Sequence, residues 1–280
     1  MHFCNYRRTF LKALCFFLLG GVTARLEAQI LEKEKISEGQ YVRMKNGDKI
    51  PDSEQSWTLW RIPGVGYELE DHFELTPNPA AQVLSQMPSK NLSPELRREL
   101  AAEVKQTDLI VRYGMDRKPM SVSVKGKKLQ DGTKVDVLKC GVDGQQVRCE
   151  GNIRQTKFRS REQRELFYAM PFPMLLSMWL LPDTLKPATM QRQLVALEFG
   201  KAYELQEAEE TIQPLGDEAI TIGDHKFEAH KVQVRLQYAG GKKLELAIWY
   251  ATPGLVFAME TPSFPDERIA LVQYKKYSDF

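Results

Sequence analysis

The chain has 280 residues, with 39 Lys and Arg against 37 Asp and Glu, and a formal net charge of +2. The small positive excess sits at the N-terminus: without residues 1–28 the chain loses Arg7, Arg8, Lys12, Arg25 and Glu27, leaving 35 basic and 36 acidic residues, a net of −1. Composition thus gives no argument for nucleic acid or an anionic membrane as partner, and the remaining 252 residues suit one large β domain or two small ones.

The first 28 residues read as a targeting segment. Arg7, Arg8 and Lys12 are its basic region, 13–22 its short apolar core, and Leu26-Glu27-Ala28 an exit with cleavage expected after Ala28. The run Arg7-Arg8-Thr9-Phe10-Leu11-Lys12 resembles the twin-arginine export signal, R-R-x-F-L-K. An ordinary secretory signal and a retained anchor are the alternatives. Cys15 lies inside the apolar core and is a poor lipoprotein site. The expected location is the periplasm or cell envelope.

Residues 29–56 are polar and mixed in charge, a lead-in with at most one strand or short helix. A single β-rich domain is expected over 57–280. Trp57, Leu59, Trp60 and Ile62 open a strand, Pro63-Gly64-Val65-Gly66 turns it, and Tyr67-Glu68-Leu69-Glu70 alternates as a half-buried strand should. Residues 76–88 read as loop with a short helical turn. Ser93-Pro94-Glu95 is a helix start, with a capping serine, proline at the first position and an acid in the first turn. That amphipathic helix is expected to run to about Gln106, with Leu96, Leu100 and Val104 on one face. From Asp108 the pattern becomes β, with strands at 109–113 and 120–124 and a polar turn over 125–132.

Cys140 and Cys149 flank a turn-rich stretch between two strand-like runs. Outside the cytoplasm such a pair forms a disulfide. A redox or metal role lacks a C-x-x-C and a nearby His. Residues 170–181, MPFPMLLSMWLL, carry no charge. Pro171 and Pro173 suit a first helical turn and Pro182 ends it. A helix apolar on every side must be buried or rest against lipid, and this one falls short of the roughly 20 residues that span a bilayer. It reads as a plug that strands must shelter.

After the plug, 193–199 and 203–212 read as strands, and Gly216 and Gly223 punctuate the next two. Val232, Val234, Leu236 and Tyr238 alternate with polar residues, as do Leu244, Leu246, Ile248 and Tyr250. A two-residue loop at Gly240-Gly241 sets Leu236 against Glu245. Matching the apolar sets, with Leu236 on Leu246 and Val234 on Ile248, needs a three- or five-residue loop. Thr252-Pro253-Gly254-Leu255 reads as a type II turn that pairs Tyr250 with Phe257 and Ile248 with Met259. Strand 268–274 closes the meander.

Gly223 with Phe227, Ala229 and Val232, then Ile248-Trp249-Tyr250, Pro253-Gly254-Leu255-Val256 and Leu271-Val272-Gln273-Tyr274 together resemble a group of uncharacterised exported bacterial proteins. Those are similar in architecture to the periplasmic lipoprotein carriers of the LolA and LolB class. The resemblance implies an open or half-closed antiparallel barrel whose concave apolar face holds acyl chains. The expected fold is therefore mainly β (α+β): a curved antiparallel sheet or half-barrel wrapped around a short apolar helix, with one further amphipathic helix.

Catalytic signatures are absent: there is no G-x-S-x-G, phosphate loop or H-E-x-x-H. His225 and His230 are five apart and fall on opposite faces of a regular strand, although a bulge near the parity switch from Phe227/Ala229 to Val232/Val234 could realign them. Asp224-His225 lacks a nucleophile. Glu70-Asp71-His72 reads as exposed loop or strand edge, and Glu207, Glu209 and Glu210 as a solvated face. Phe172, Met174, Met178 and Trp179 in the plug, with Tyr238, Tyr250, Phe257 and Met259 on strands, either line an apolar pocket or fill a core. The expected function is non-enzymatic: an exported envelope protein, without cofactor or metal, that binds an acyl chain or other hydrophobic molecule. The alternative is an interaction or scaffold module with a solid core and an envelope protein as partner. A hydrolase or isomerase reading through His72 or His225 requires a pocket that joins one of them to a carboxylate.

Overall fold

The structure, a computed structural model, describes residues 32–51, 53–75, 79–143, 146–151, 153–154, 165–168, 189–198, 203–222, 225–251, 255–262 and 265–278. The targeting segment 1–28, the plug 170–181 and the turn residues 252–254 lie outside the described residues.

Strands β1 (Glu34–Lys45) and β2 (Asp48–Lys49) form a hairpin through Asn46-Gly47, both with positive φ, the backbone that a tight two-residue turn demands. β3 (Gln55–Ile62) and β4 (Gly66–Leu75) follow. Gly66 has φ +146°, and a Cβ there would lie 2.0 Å from the Tyr113 carbonyl oxygen, so only glycine fits. Helices α1 (Pro79–Ser85) and α2 (Pro94–Ala102) come next. Ser93 caps α2, accepting from the Leu96 N–H at 3.2 Å. The helix stops four residues short of the expected Gln106. Glu103 turns extended, and Val104, expected on the helix face, opens β5 (Val104–Gly114), where ladder pairing outweighs helical spacing. β6 (Pro119–Lys128), β7 (Lys134–Asp143), β8 (Gln146–Gly151) and β9 (Ile153–Arg154) complete the first half. The polar turn expected from Lys125 begins only at Leu129, because Lys125 and Lys127 alternate with buried Gly126 as a strand.

The second half comprises β10 (Glu165–Tyr168), β11 (Met190–Glu198), β12 (Tyr203–Ile222), β13 (His225–Tyr238), β14 (Lys243–Ala251), β15 (Leu255–Glu260) and β16 (Glu267–Lys276). Gly216, expected to separate two strands, instead sits beside a bulge at Leu215 within the single strand β12. The bulge considered for β13 is therefore on its neighbour. All strands join one sheet, in the order β10-β11-β12-β13-β14-β15-β16-β1-β3-β4-β5-β6-β7-β8. β9, just beyond β8, pairs with β12 near the opposite end, so the curved sheet is a nearly closed barrel. The polar lead-in supplies β1, which lies inside the sheet between β16 and β3.

Cross-strand partners share a face, so the ladders trace the core. One row runs Gly39, Trp57, Asp71, Leu109, Val124, Leu138. The next runs Leu59, Leu69, Val111, Val122, Cys140, Cys149. In the second half Ile269, Met259, Ile248 and Val232 form a row. Among the described residues the buried apolar side chains fall into two clusters, one around Trp57, Leu59, Leu69 and Val111, the other around Ile212, Val234, Leu236 and Ile248.

The β13–β14 loop has odd length, as apolar matching requires: the Tyr238 N–H donates to the Lys242 carbonyl at 2.9 Å around Ala239, Gly240 and Gly241. The pairs slide by two residues from those expected, giving Leu236 with Leu244 and Val234 with Leu246. Both registers keep apolar sets together, and parity alone does not separate them. Ile248 meets Met259 as expected, but Tyr250 meets Val256, because a bulge leaves Phe257 outside the ladder.

Cys140 and Cys149 oppose each other across β7 and β8 and form the expected disulfide, with an S–S distance of 2.02 Å. Replacing both by serine is expected to lower unfolding free energy by about 2–3 kcal/mol, read from urea denaturation of the two proteins side by side.

Candidate functional site

The apolar parity of β4 is Tyr67, Leu69, then Asp71. A strand that buries the first two buries the third, and Asp71 is 1% exposed. It faces Trp57 on β3 and Leu109 on β5. Gln55, two residues before Trp57 and on its face, donates Nε2–H to Asp71 Oδ2 at 2.7 Å. The other carboxyl oxygen, Oδ1, has no hydrogen-bond partner among the described residues. Trp57 Nε1 and the Tyr113 hydroxyl share this condition, both on essentially unexposed residues. Gly39 makes the Trp57 position possible, since a Cβ there would lie 2.6 Å from the indole. Tyr41 stacks near Trp57 at 6.3 Å and donates its hydroxyl to the Val256 carbonyl at 2.9 Å, tying β1 to β15.

Burial pushes the Asp71 carboxyl well above its ordinary value; the Gln55 bond opposes this but does not cancel it. Burial raises the Tyr41 and Tyr113 hydroxyls as well, with the nearby Asp71 adding to it. A protonated Asp71 turns from acceptor to donor. Trp57, Asp71 and Tyr113 then present three donors from three adjacent strands on one buried face. Glu70-Asp71-His72 was expected to be exposed loop or edge. It is instead an interior strand segment, and the parity shared with Leu69 was the readable signal.

On the opposite face of β4, His72 Nδ1 bonds Asp108 Oδ1 at 2.7 Å. Thr107 donates its hydroxyl to Asp108 Oδ2 at 2.6 Å. Partial burial pushes Asp108 up, but the bonds from Thr107 and His72 and the charge of Lys125 outweigh it and hold the carboxyl below its usual value. An ionised Asp108 can only accept, so His72 donates to it from Nδ1. The pair lines an open cleft of about 550 Å³ that also meets Ile110, Lys125, Lys134 and Asp136. Three successive ladders shift register around it, between His72 and Leu75, between Gln106 and Asp108, and between Val124 and Lys125. Bulges of this kind re-aim side chains and often border functional clefts. The condition set for an acid–base role, a pocket joining a histidine to a carboxylate, is met at His72. His230 Nδ1 also bonds Asp217 Oδ1, at 2.6 Å, but its row continues into buried Tyr250 and Val256. The side chain of His225 lies outside the described residues, as do Phe172, Met174, Met178 and Trp179.

Of the strand residues expected to line a pocket, Tyr238, Tyr250 and Met259 are buried together in one cluster, whereas Phe257 belongs to the other. Phe257 packs on Phe227 at 5.0 Å, because the bulge rotates it away from Met259. Glu210, expected on a solvated face with Glu207 and Glu209, is fully buried, since it shares the parity of Ala208 and Ile212.

No family model matches the chain, and no curated protein matches it. Among solved structures it is similar to a β-barrel-like protein of domain of unknown function DUF1849 from Brucella abortus. That similarity has a TM-score of 0.49 and 10% identity over 87% of this chain and 98% of the other. A DUF1089 family protein from Pseudomonas aeruginosa gives a TM-score of 0.35 and 10% identity, over 80% of this chain and 90% of the other. Among the described residues no helix is long and apolar enough to cross a membrane.

The raised Asp71 carboxyl fixes a sign. Below about pH 4 both folded and unfolded states hold the proton and the burial has no ionic cost. As pH rises through the unfolded value only the unfolded state ionises, and stability falls at up to about 1.4 kcal/mol per pH unit until the folded value is reached. Asp71→Asn is therefore expected to match the parent below the ordinary aspartate range and to gain on it as pH rises above that range, as checked by denaturant titrations of the two proteins.

Proposed function

We propose that this is an exported envelope protein that holds an acyl-chain amphiphile inside the barrel, with its oxygen-bearing head against Trp57, Asp71 and Tyr113. What carries the reading is that Trp57 Nε1, Asp71 Oδ1 and the Tyr113 hydroxyl are buried on one face without hydrogen-bond partners among the described residues. Leaving such a group unmet costs roughly 1–3 kcal/mol each, so a fold that keeps three together has a use for them. A protonated carboxyl, an indole N–H and a phenol O–H match the carbonyl oxygens of a fatty acid or acyl ester. Leu59, Leu69, Leu109 and Val111 are the buried apolar neighbours on the same face. Barrel size argues the same way: about eight strands enclose only what their own side chains fill, and this path has many more. On this reading the periplasmic lipoprotein carriers are an architectural analogy, and residues 1–28 the export signal.

A solid-core interaction module is the second reading, favoured by the buried Tyr41 bond to the Val256 carbonyl, which reaches over β16 and ties β1 to β15 inside a packed core.

Protein purified without detergent from an envelope fraction, then denatured and extracted with organic solvent, is expected to yield an acyl compound near one per chain by mass spectrometry. Trp57→Phe with Tyr113→Phe is expected to lower that occupancy at least tenfold while the fold persists. An empty extract together with a co-purifying envelope protein favours the second reading instead.

A further inference from the structure

The solvent side of the sheet carries a row that the interior reading leaves unused. Ser56 on β3 opposes His72 on β4, and His72 opposes Asp108 on β5. Residues so opposed share a face, with Cβ atoms about 4.5–5.5 Å apart. His72 Nδ1–H donates to Asp108 at 2.7 Å. The two ring nitrogens point in widely divergent directions, so Nε2 is turned away from β5. Ser56 stands on the strand at that other side, and its hydroxyl makes no hydrogen bond among the described residues. Nucleophile, base and orienting carboxylate therefore occupy three consecutive strands, in the order that acyl transfer requires. Thr107 fixes the second oxygen of Asp108 at 2.6 Å. The carboxylate is held from both sides, and the imidazole tautomer with it. Gln40 opposes Ser56 from β1, its amide donating to Glu54 at 3.0 Å.

We propose that Ser56, His72 and Asp108 form a hydrolytic array acting on a carboxylic ester that reaches into the cleft along β5, β6 and β7. Ser56 Oγ forms a bond to the ester carbonyl carbon as its proton passes to His72 Nε2. The bond to the leaving alkoxide breaks, and that oxygen takes the proton from Nε2. Water then attacks the acyl-serine, His72 Nε2 accepts its proton, and the carboxylic acid leaves as Ser56 regains its hydrogen. Asp108 exchanges no proton; it is a positioning residue that keeps Nδ1 protonated and Nε2 available. Ile110 and Val135 offer apolar contact for the acyl part, and Lys125 and Lys134 positive charge.

The test uses the full chain, a biotinylated fluorophosphonate and p-nitrophenyl butyrate. Expected are one label per chain, located on Ser56 by peptide mass spectrometry, and ester hydrolysis above buffer. Label and hydrolysis are lost in Ser56→Ala and fall about 10²–10⁴-fold in His72→Gln. Asp108→Asn is expected to slow labelling by a comparable factor and Asp108→Glu to recover part of it, a rescue that a merely structural carboxylate would not give. The side chains are on the solvent face, and melting curves check that each variant folds. No label, label at another residue, or a labelling rate unchanged in folded His72→Gln overturns the proposal.

Discussion

Cross-strand register governs this molecule. Each strand alternates its side chains between two faces, and each ladder passes that choice to the next strand. Leu59, Leu69, Val111 and Val122 are buried for one shared reason, and Ser56, His72 and Asp108 are outside for the same reason. A slip of one residue in β4 would exchange Asp71 for His72 and empty both candidate sites at once. The disulfide depends on this register too, because Cys140 and Cys149 meet only when β7 and β8 pair as they do.

Much of this was legible in the residues. The strand-rich class, the cysteine pair, the capping serine of α2 and the odd β13–β14 loop follow from alternation and turn chemistry. The two-residue slide of Leu236 from Leu246 to Leu244 does not, because both pairings satisfy the same parity. Phe257 was assigned to the wrong cluster because a bulge in β15 is invisible to a strict two-residue period. The overrun of α2 has a similar origin: Val104 fits a helical stripe, but a neighbouring strand offers it a ladder. Glu210 and Asp71 were misplaced by the habit of reading acids as solvated, although each sits at an apolar parity. The row of Ser56, His72 and Asp108 could not be read from the chain, since the three are distant in sequence and meet only through pairing. The apolar run 170–181 lies outside the described residues.

The two faces of β3, β4 and β5 have contrasting electrostatics. Inside, Asp71 has no charged partner among the described residues, and burial raises its carboxyl. Outside, Asp108 is held by Thr107, His72 and Lys125 and stays ionised. Asp71 and His72 are adjacent in the chain, yet a strand one residue thick keeps them in different dielectric surroundings. The same three strands can thus host a neutral donor set on one side and an acid–base pair on the other.

β1 pairs with β16 over nine residue positions and with β3 on its other edge. The seam of the sheet is therefore sewn by segments more than two hundred residues apart in the chain, with the Tyr277 N–H closing onto the Ile36 carbonyl at 2.8 Å. Closing so long a loop is entropically slow, and contacts of this range delay assembly. While the last strand is missing, β1 keeps one bare edge, a template for sticking to other chains. A newly made copy is thus most vulnerable to aggregation up to the moment its final strand arrives, and a chaperone that shields β1 until then would serve it best.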